Sequence, residues 1–361
     1  MNAHPIYATG RPLVLAPVAR FERLRVLAWQ DDTLYAARGY RLVRARILPN
    51  KIASGGLVWE PVASFRPVWG RRATVVTSLS SRLMRDGFHA LAVTPSRTIV
   101  AAVPGAIVTL HPNQTEFLIT HSIARGTRPL HITAVPEGRL FWGEYYDNRD
   151  RNDVHIYVSQ DTGSSWQVAY TFPKGTIRHV HNIVYDAWGD CLWVLTGDYG
   201  SECRIMRASC DFSQVEVVLQ GDQQARAVAL VPTEDGLYFS SDTPLEANYI
   251  YHLDRAGKLS QLAPISSSSI YGCRVGCDIF FSTMVEPSRV NTDQHVRIYG
   301  GRDGRSWRPV LAWEKDRLPM GIFQYGNAFL PDGNNDTAYL AVTTVAVKSD
   351  DCVTSLYWVG A

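Results

Sequence analysis

The feature that most restricts this chain is a repeat. Four short β-rich runs, separated by turn residues, recur about every 45 residues from near the amino end to the carboxyl end. The first set occupies 24–28, 33–37, 42–47 and 57–62, and the third occupies 131–135, 140–144, 154–158 and 166–170. Amphipathic helical periodicity is hard to find anywhere. Seven sets can be counted, the last with three evident runs at 325–330, 338–342 and 355–359. A linear row of such units would leave open sheet edges, so the stretch 12–16 is expected to complete the seventh set and close a ring. The expected fold is an all-β, seven-bladed β-propeller of four-stranded blades, one domain over 1–361. No Ser-rich or Gly-rich linker divides it, and 266–269 is only a short link between blades.

The hairpin at 157–166 sets the register of the repeats. Ser159, Asp161, Gly163 and Trp166 fill the four fixed places of Ser-x-Asp-x-Gly-x-x-Trp. A short acid bonds back to nearby amides, glycine takes the positive φ, and the indole covers the turn. A second hairpin, 300–307, keeps Gly304 and Trp307, but Arg302 stands at the Asp place and Gly300 at the Ser place. On these residues the chain resembles the Asp-box (BNR repeat) propellers, a sialidase-like superfamily with several carbohydrate-active members. The resemblance implies the fold, while function has to come from the site. The sialidase pattern itself is not matched residue by residue. Phe65-Arg66-Pro67 lacks the expected Ile and follows a complete blade, and no arginine triad can be assigned among Arg85, Arg178, Arg226 and Arg274.

Composition narrows the partners. A net charge of +2 without a basic run argues against nucleic acid and against a polybasic membrane surface. The amino terminus lacks the basic and apolar stretches of a signal peptide, so a cytoplasmic location is expected. The six cysteines, Cys191, Cys203, Cys210, Cys273, Cys277 and Cys352, show no C-x-x-C pair and no metal-knuckle spacing.

In a propeller the innermost strand of each blade lines the axial channel, and ligands gather at one mouth. His89, His131, His181, Arg226, Tyr271 and Tyr325 recur at the head of the innermost runs, where packing alone requires no polar group. Glu144, Asp198 and Asp242 recur at the ends of the following runs. Arg178 stands nearby, and the polar insert 145–153 is expected to hang over the same mouth.

Three chemistries suit such groups. Glu144, His181, Tyr325 and Asp198 are the catalytic candidates, and His89, His131, Arg226, Tyr271, Asp242 and Arg178 the substrate-binding ones. Paired carboxylates would support glycoside hydrolysis, the leading expectation, with a carbohydrate substrate, acidic in one version. A His or Tyr base beside an arginine-neutralised uronate would support β-elimination, as in polysaccharide lyases. No cofactor motif is present, but His89, His131 and His181 would suit a divalent metal if they converge. The competing expectation from another class is a non-catalytic propeller that binds glycan or protein.

Overall fold

The computed structural model describes residues 13–53, 55–67, 71, 74–75 and 77–360. The described strands form seven sheets, antiparallel except for one parallel edge pair, arranged as the blades of a propeller. Blade 2, for example, comprises Leu91–Val93, Ile99–Val103, Ala106–Leu110 and Leu118–Ser122 in spatial order. Blades 3, 4, 5 and 6 follow with innermost strands Thr133–Ala134, His179–Asp186, Ala227–Thr233 and Ser269–Val275.

The second strand of each blade explains why the sequence is so apolar without strict alternation. Ile99–Val103, Cys191–Gly197, Gly236–Ser241, Asp278–Thr283 and Tyr339–Val345 are buried throughout. Each is covered on both faces by neighbouring blades, so both sets of alternating side chains must be apolar or small. The fourth strands Leu118–Ser122 and Val215–Gln220 lie at the rim and are partly exposed.

Closure follows the expected route. Val14–Glu22 pairs with Val353–Gly360 from Val14↔Gly360 to Glu22↔Val353, completing blade 7 behind Tyr339–Val345 and Asn327–Phe329. Pro12, where the closing run was expected to start, lies outside the described residues.

Two features depart from a regular ring. After Asn327–Phe329 the chain leaves blade 7, and Asp332–Asn335 pairs in parallel with Arg25–Asp31, the expected innermost strand of blade 1. Blade 1 therefore has five strands, completed by Thr33–Arg38, Arg41–Arg46 and Glu60–Ser64. The crossing demands glycine at Gly333, where φ is +87° and a Cβ would sit 2.2 Å from the Trp29 carbonyl oxygen. It also carries Asp332 into the channel.

The second departure is helical. Ser78–Met84 forms a helix whose N-cap, Thr77, makes a reciprocal capping box with Ser80. Arg82 anchors it, donating to the Phe323 carbonyl and pairing with Asp316 and Asp351. Seven residues are too few to display a helical period, and this one is held by tertiary contacts.

The Asp161 turn is fully bonded. Asp161 Oδ1 accepts from Ser165 N at 2.9 Å and Ser159 Oγ at 2.8 Å, and Gly163 N donates to Ser159 Oγ at 2.7 Å. The turn also fastens blade 3 to blade 2. Thr109 Oγ1 donates to the Gly163 carbonyl at 2.7 Å, and Trp166 Nε1 donates to Thr120 Oγ1 at 3.2 Å. The hairpin lies on the third and fourth strands of its blade, Val154–Ser159 and Gln167–Phe172, away from the channel.

Candidate functional site

Antiparallel pairing decides which residues share a mouth. His179 pairs with Gly197, Ala227 with Ser241, and Ser269 with Thr283. The heads of the innermost strands and the ends of the second strands therefore meet at one edge of each blade. Both polar registers read from the sequence lie toward that edge, and most of their residues gather there in two groups.

The first group centres on Asp198, one residue beyond Gly197. His181 Nε2 lies 3.1 Å and His179 Nε2 3.4 Å from Asp198 Oδ1, while Arg178 Nη1 lies 3.0 Å from Oδ2. Arg226 Nη2 stands 3.5 Å from Asp198 Oδ1 and 3.6 Å from Asp242 Oδ2. The two imidazole Nε2 atoms are 3.2 Å apart. His179, His181 and Asp198 are all buried, as is Asp242.

Local backbone makes this packing fit. The pairing of His179–Asp186 with Cys191–Gly197 slips between Val180 and Asn182, leaving His181 as a bulge residue. Its ring then lies over Gly197, where a Cβ would come within 2.5 Å of it. The insert contributes a roof. The Tyr145 ring centroid is 4.3 Å from that of His179, and Asp147 pairs with Arg178. Arg151 binds Glu202 at 2.6 Å, fixing the insert to blade 4.

Charge is unevenly settled here. Burial pushes the Asp198 carboxyl upward, but hydrogen bonds and charge from His179 and His181 outweigh it and hold the group far below the carboxylate range. Burial, reinforced by Asp198 and Asp242, pushes the Tyr145 phenol up to about 12. Glu286, at the edge of blade 6, is raised by burial and by Asp242.

The second group lies across the mouth, at blades 1, 2, 3, 6 and 7. Arg25 Nη1 is 3.2 Å from His89 Nδ1, and the guanidinium lies 4.1 Å above the Phe329 ring. His89 Nε2 is 2.8 Å from the Arg85 carbonyl oxygen, which can only accept, so Nε2 carries the proton and Nδ1 accepts from Arg25. Arg25 Nε is buried without a hydrogen-bond partner, and no carboxylate of a described residue pairs with this guanidinium. Arg25 is lowered by burial, against the pull of Tyr271 and Asp332. Arg128 is lowered to about 10 by burial and then by the charge of Arg25. His89 is lowered well below the ordinary histidine value by burial, then by Arg128 and Arg25. This side of the mouth holds more positive charge than it neutralises.

A cleft of about 830 Å³ opens onto that group, and its lining includes the cations Arg25, Arg41, Arg66 and Arg85, with His89 and Phe329, against the carboxylates Glu22 and Asp86. Below it, His131 Nδ1 meets Asp332 Oδ2 at 2.9 Å, with the Tyr271 ring 6.3 Å from the imidazole. A second cavity of about 590 Å³ contains His131 and Asp332 and reaches Trp188, Arg274 and Asn335 at the other end of the channel.

The residues nominated from sequence thus fall into four places. His181, Asp198, Arg226, Asp242 and Arg178 come together, and His89, Tyr271 and His131 line the channel opposite them. His89, His131 and His181 each take a different partner, so the structure does not gather them around one ion. Glu144 is buried in a two-bond contact with Arg125, at 2.9 Å through Nε, and accepts from His155 N at 2.8 Å. Tyr325 is 36% exposed and joins neither group.

Sequence reasoning missed His179, Glu286, Arg25 and Arg128, and named Tyr145 only as part of the insert expected over the mouth. The signal for Arg25 was available, since it opens the innermost strand of blade 1, next to the place where polar residues were nominated in the other six blades. His179 precedes His181 by two positions, a spacing that also deserved weight.

No protein-family model matches this sequence, and no curated protein matches it. Solved structures do. The WD40 β-propeller domain of Doa1 is similar with a TM-score of 0.55 at 11% identity, covering 95% of this chain and 96% of that one. The Myceliophteria thermophila Cps50 (Swd1) β-propeller domain gives 0.57 at 11%, covering 97% and 100%. A chain of the mitotic checkpoint complex gives 0.55 at 10%, covering 100% and 98%. At these identities the likeness concerns the fold, the seven-bladed propeller, and these neighbours show no Asp-box or sialidase-like family. Among the described residues no helix is long and apolar enough to cross a membrane.

Proposed function

We infer that this protein is a non-catalytic binding propeller that takes an acidic segment of a protein partner at the mouth beside blades 1, 2 and 7. The observation that carries this reading is Arg25, a recessed guanidinium with a buried unbonded Nε, a histidine in place of a carboxylate, and Arg128 close by. A buried donor without an acceptor costs free energy that an incoming carboxylate returns through charge-assisted hydrogen bonds. The cleft volume of about 830 Å³ accommodates several residues, and Phe65, Val75 and Phe329 supply apolar contact between the cations. Structural neighbours include a chain of a multi-protein assembly, the mitotic checkpoint complex, which agrees with a binding role.

Fluorescence anisotropy with three labelled probes tests this reading: an Asp/Glu-rich peptide, an oligouronate and a neutral oligosaccharide. The acidic peptide is expected to bind with a steep salt dependence. Binding of the neutral sugar alone would refute the reading.

A second reading, cleavage of a glycosidic bond, draws support from Asp242 and Glu286 beside Arg226. Two carboxylates with one raised by burial and by the other's charge is an acid and base arrangement. Product analysis on an oligosaccharide panel tests it, and a new unsaturated product absorbing in the ultraviolet would instead indicate elimination.

A further inference from the structure

We propose that His179, His181 and Asp198 form a divalent-metal site at the blade 4 edge of the mouth, independent of the acidic-ligand cleft. The three ligand atoms, two Nε2 and one carboxylate oxygen, lie within 4.8 Å of one another and all three residues are buried. Their separations of 3.2, 3.1 and 3.4 Å suit one ion. Atoms about 2.0–2.2 Å from a metal at tetrahedral or octahedral angles lie about 2.8–3.6 Å apart.

Hydrogen bonding to the far side of each ring is the decisive evidence. His179 Nδ1 meets the Tyr146 carbonyl oxygen at 3.0 Å, and His181 Nδ1 meets that of Ala227 at 2.9 Å. A carbonyl only accepts, so both Nδ1 atoms carry hydrogen, and each ring in its neutral form presents an Nε2 lone pair. With both rings neutral, two lone pairs and a carboxylate oxygen face one another, and the neighbouring donor to this oxygen is Arg226, 3.5 Å away. One proton would satisfy a single contact, whereas a cation satisfies all three. Imidazole held by a carbonyl at one nitrogen and presenting the other is the outer-shell pattern of metal-binding histidines.

Surrounding groups orient and balance the site. Arg178 holds Asp198 Oδ2, leaving Oδ1 turned toward the histidines. Arg226, 3.5 Å from Oδ1, opposes a cation, but Asp242 draws on the same guanidinium. Asp198, Asp242 and Glu286 outnumber Arg178 and Arg226 around the site. Two imidazoles and one carboxylate without thiolate suit first-row ions such as Zn²⁺, Co²⁺ or Fe²⁺, with positions left for outside ligands.

The test is titration of the full chain with Co²⁺, followed by visible absorption, and with Zn²⁺, followed by calorimetry. One equivalent is expected, with Zn²⁺ raising Tm and affinity falling at least about tenfold in His179→Gln and in Asp198→Asn. His89→Gln, in the opposite group, should bind normally. If either site variant fails to fold, ¹⁵N histidine spectra of the wild-type protein decide, because Zn²⁺ must shift Nε2 of His179 and His181. No saturable uptake by the wild-type chain, uptake surviving in both folded variants, or shifts confined to other histidines would overturn the proposal.

Discussion

Arg25 donates through Nη1 to His89 Nδ1 across 3.2 Å, joining the innermost strand of blade 1 to the head of blade 2 without a carboxylate between them. The bond requires neutral His89, and the groups facing that ring are Arg25, Arg85 and Arg128. Protonation would therefore add a cation to a cationic site.

A pH dependence of stability follows. The folded-state pKa of His89 is depressed below the ordinary 6.5, so between those two values the unfolded chain binds a proton that the folded chain excludes. Its contribution is complete above pH 6.5 and is lost as pH falls toward the depressed value, with an upper bound of about 1.4 kcal/mol per pH unit. Urea unfolding at pH 7.5 and 5.5 should show a steeper acid loss for the wild-type protein than for His89→Gln. Equal slopes would contradict the assignment.

Gly197 is required by the ring beside it. In Gly197→Ala the new Cβ would press on His181 at 2.5 Å, in a second strand buried on both faces. Overpacking of this kind costs about 1–3 kcal/mol, which equilibrium denaturation should register. Gly175→Ala is no simple control, since φ is +86° there, so the reference variant is Gly321→Ala, where the space is open and φ is not left-handed.

Glu144 is expected to act in stability. Arg125→Ala would leave a carboxylate of 4% exposure with only the His155 amide, at a cost of about 3 kcal/mol. Acidic-peptide affinity, measured on the folded fraction, should stay unchanged in Arg125→Ala and in Glu144→Gln. A folded Glu144→Gln protein of normal stability that had lost turnover of a saccharide would reassign this residue to catalysis.

The turn at Asp161 should behave as a fastening between blades. Asp161→Ala removes the acceptor of Ser159, Ser165 and the Ser165 amide, and is expected to cost about 1–2 kcal/mol without altering ligand binding. Thermal melts and the same anisotropy titration check both halves of that statement.

The blades were legible because second strands covered on both faces must be apolar, and because turns such as Ser159 to Trp166 announce themselves chemically. The channel position of His89, His131, His181, Arg226 and Tyr271 was legible too, since innermost strands share a direction and register, whereas Tyr325 lies outside both groups. What sequence spacing could not convey is which way a carboxylate turns. Glu144, Asp198 and Asp242 occupy matching places, yet Arg125 claims the first while histidines and Arg226 claim the others. Arg128 lies outside any strand, where no period applies, and Asp332 enters the channel only because the chain crosses from blade 7 to blade 1. The Ser78–Met84 helix was hidden by its shortness.

Arg25 is the anchor of the proposed acidic ligand. Replacing it with methionine keeps the stem over Phe329 and removes a guanidinium that has no carboxylate partner and a buried unbonded Nε, while giving up the His89 bond, so the folded protein should stay close to wild type in stability. The decisive measurement is the Kd of the Asp/Glu-rich peptide for Arg25→Met against wild type at fixed ionic strength. A loss of about tenfold or more, with a shallower salt slope, is the predicted result. An unchanged Kd in a folded Arg25→Met protein would contradict the central claim.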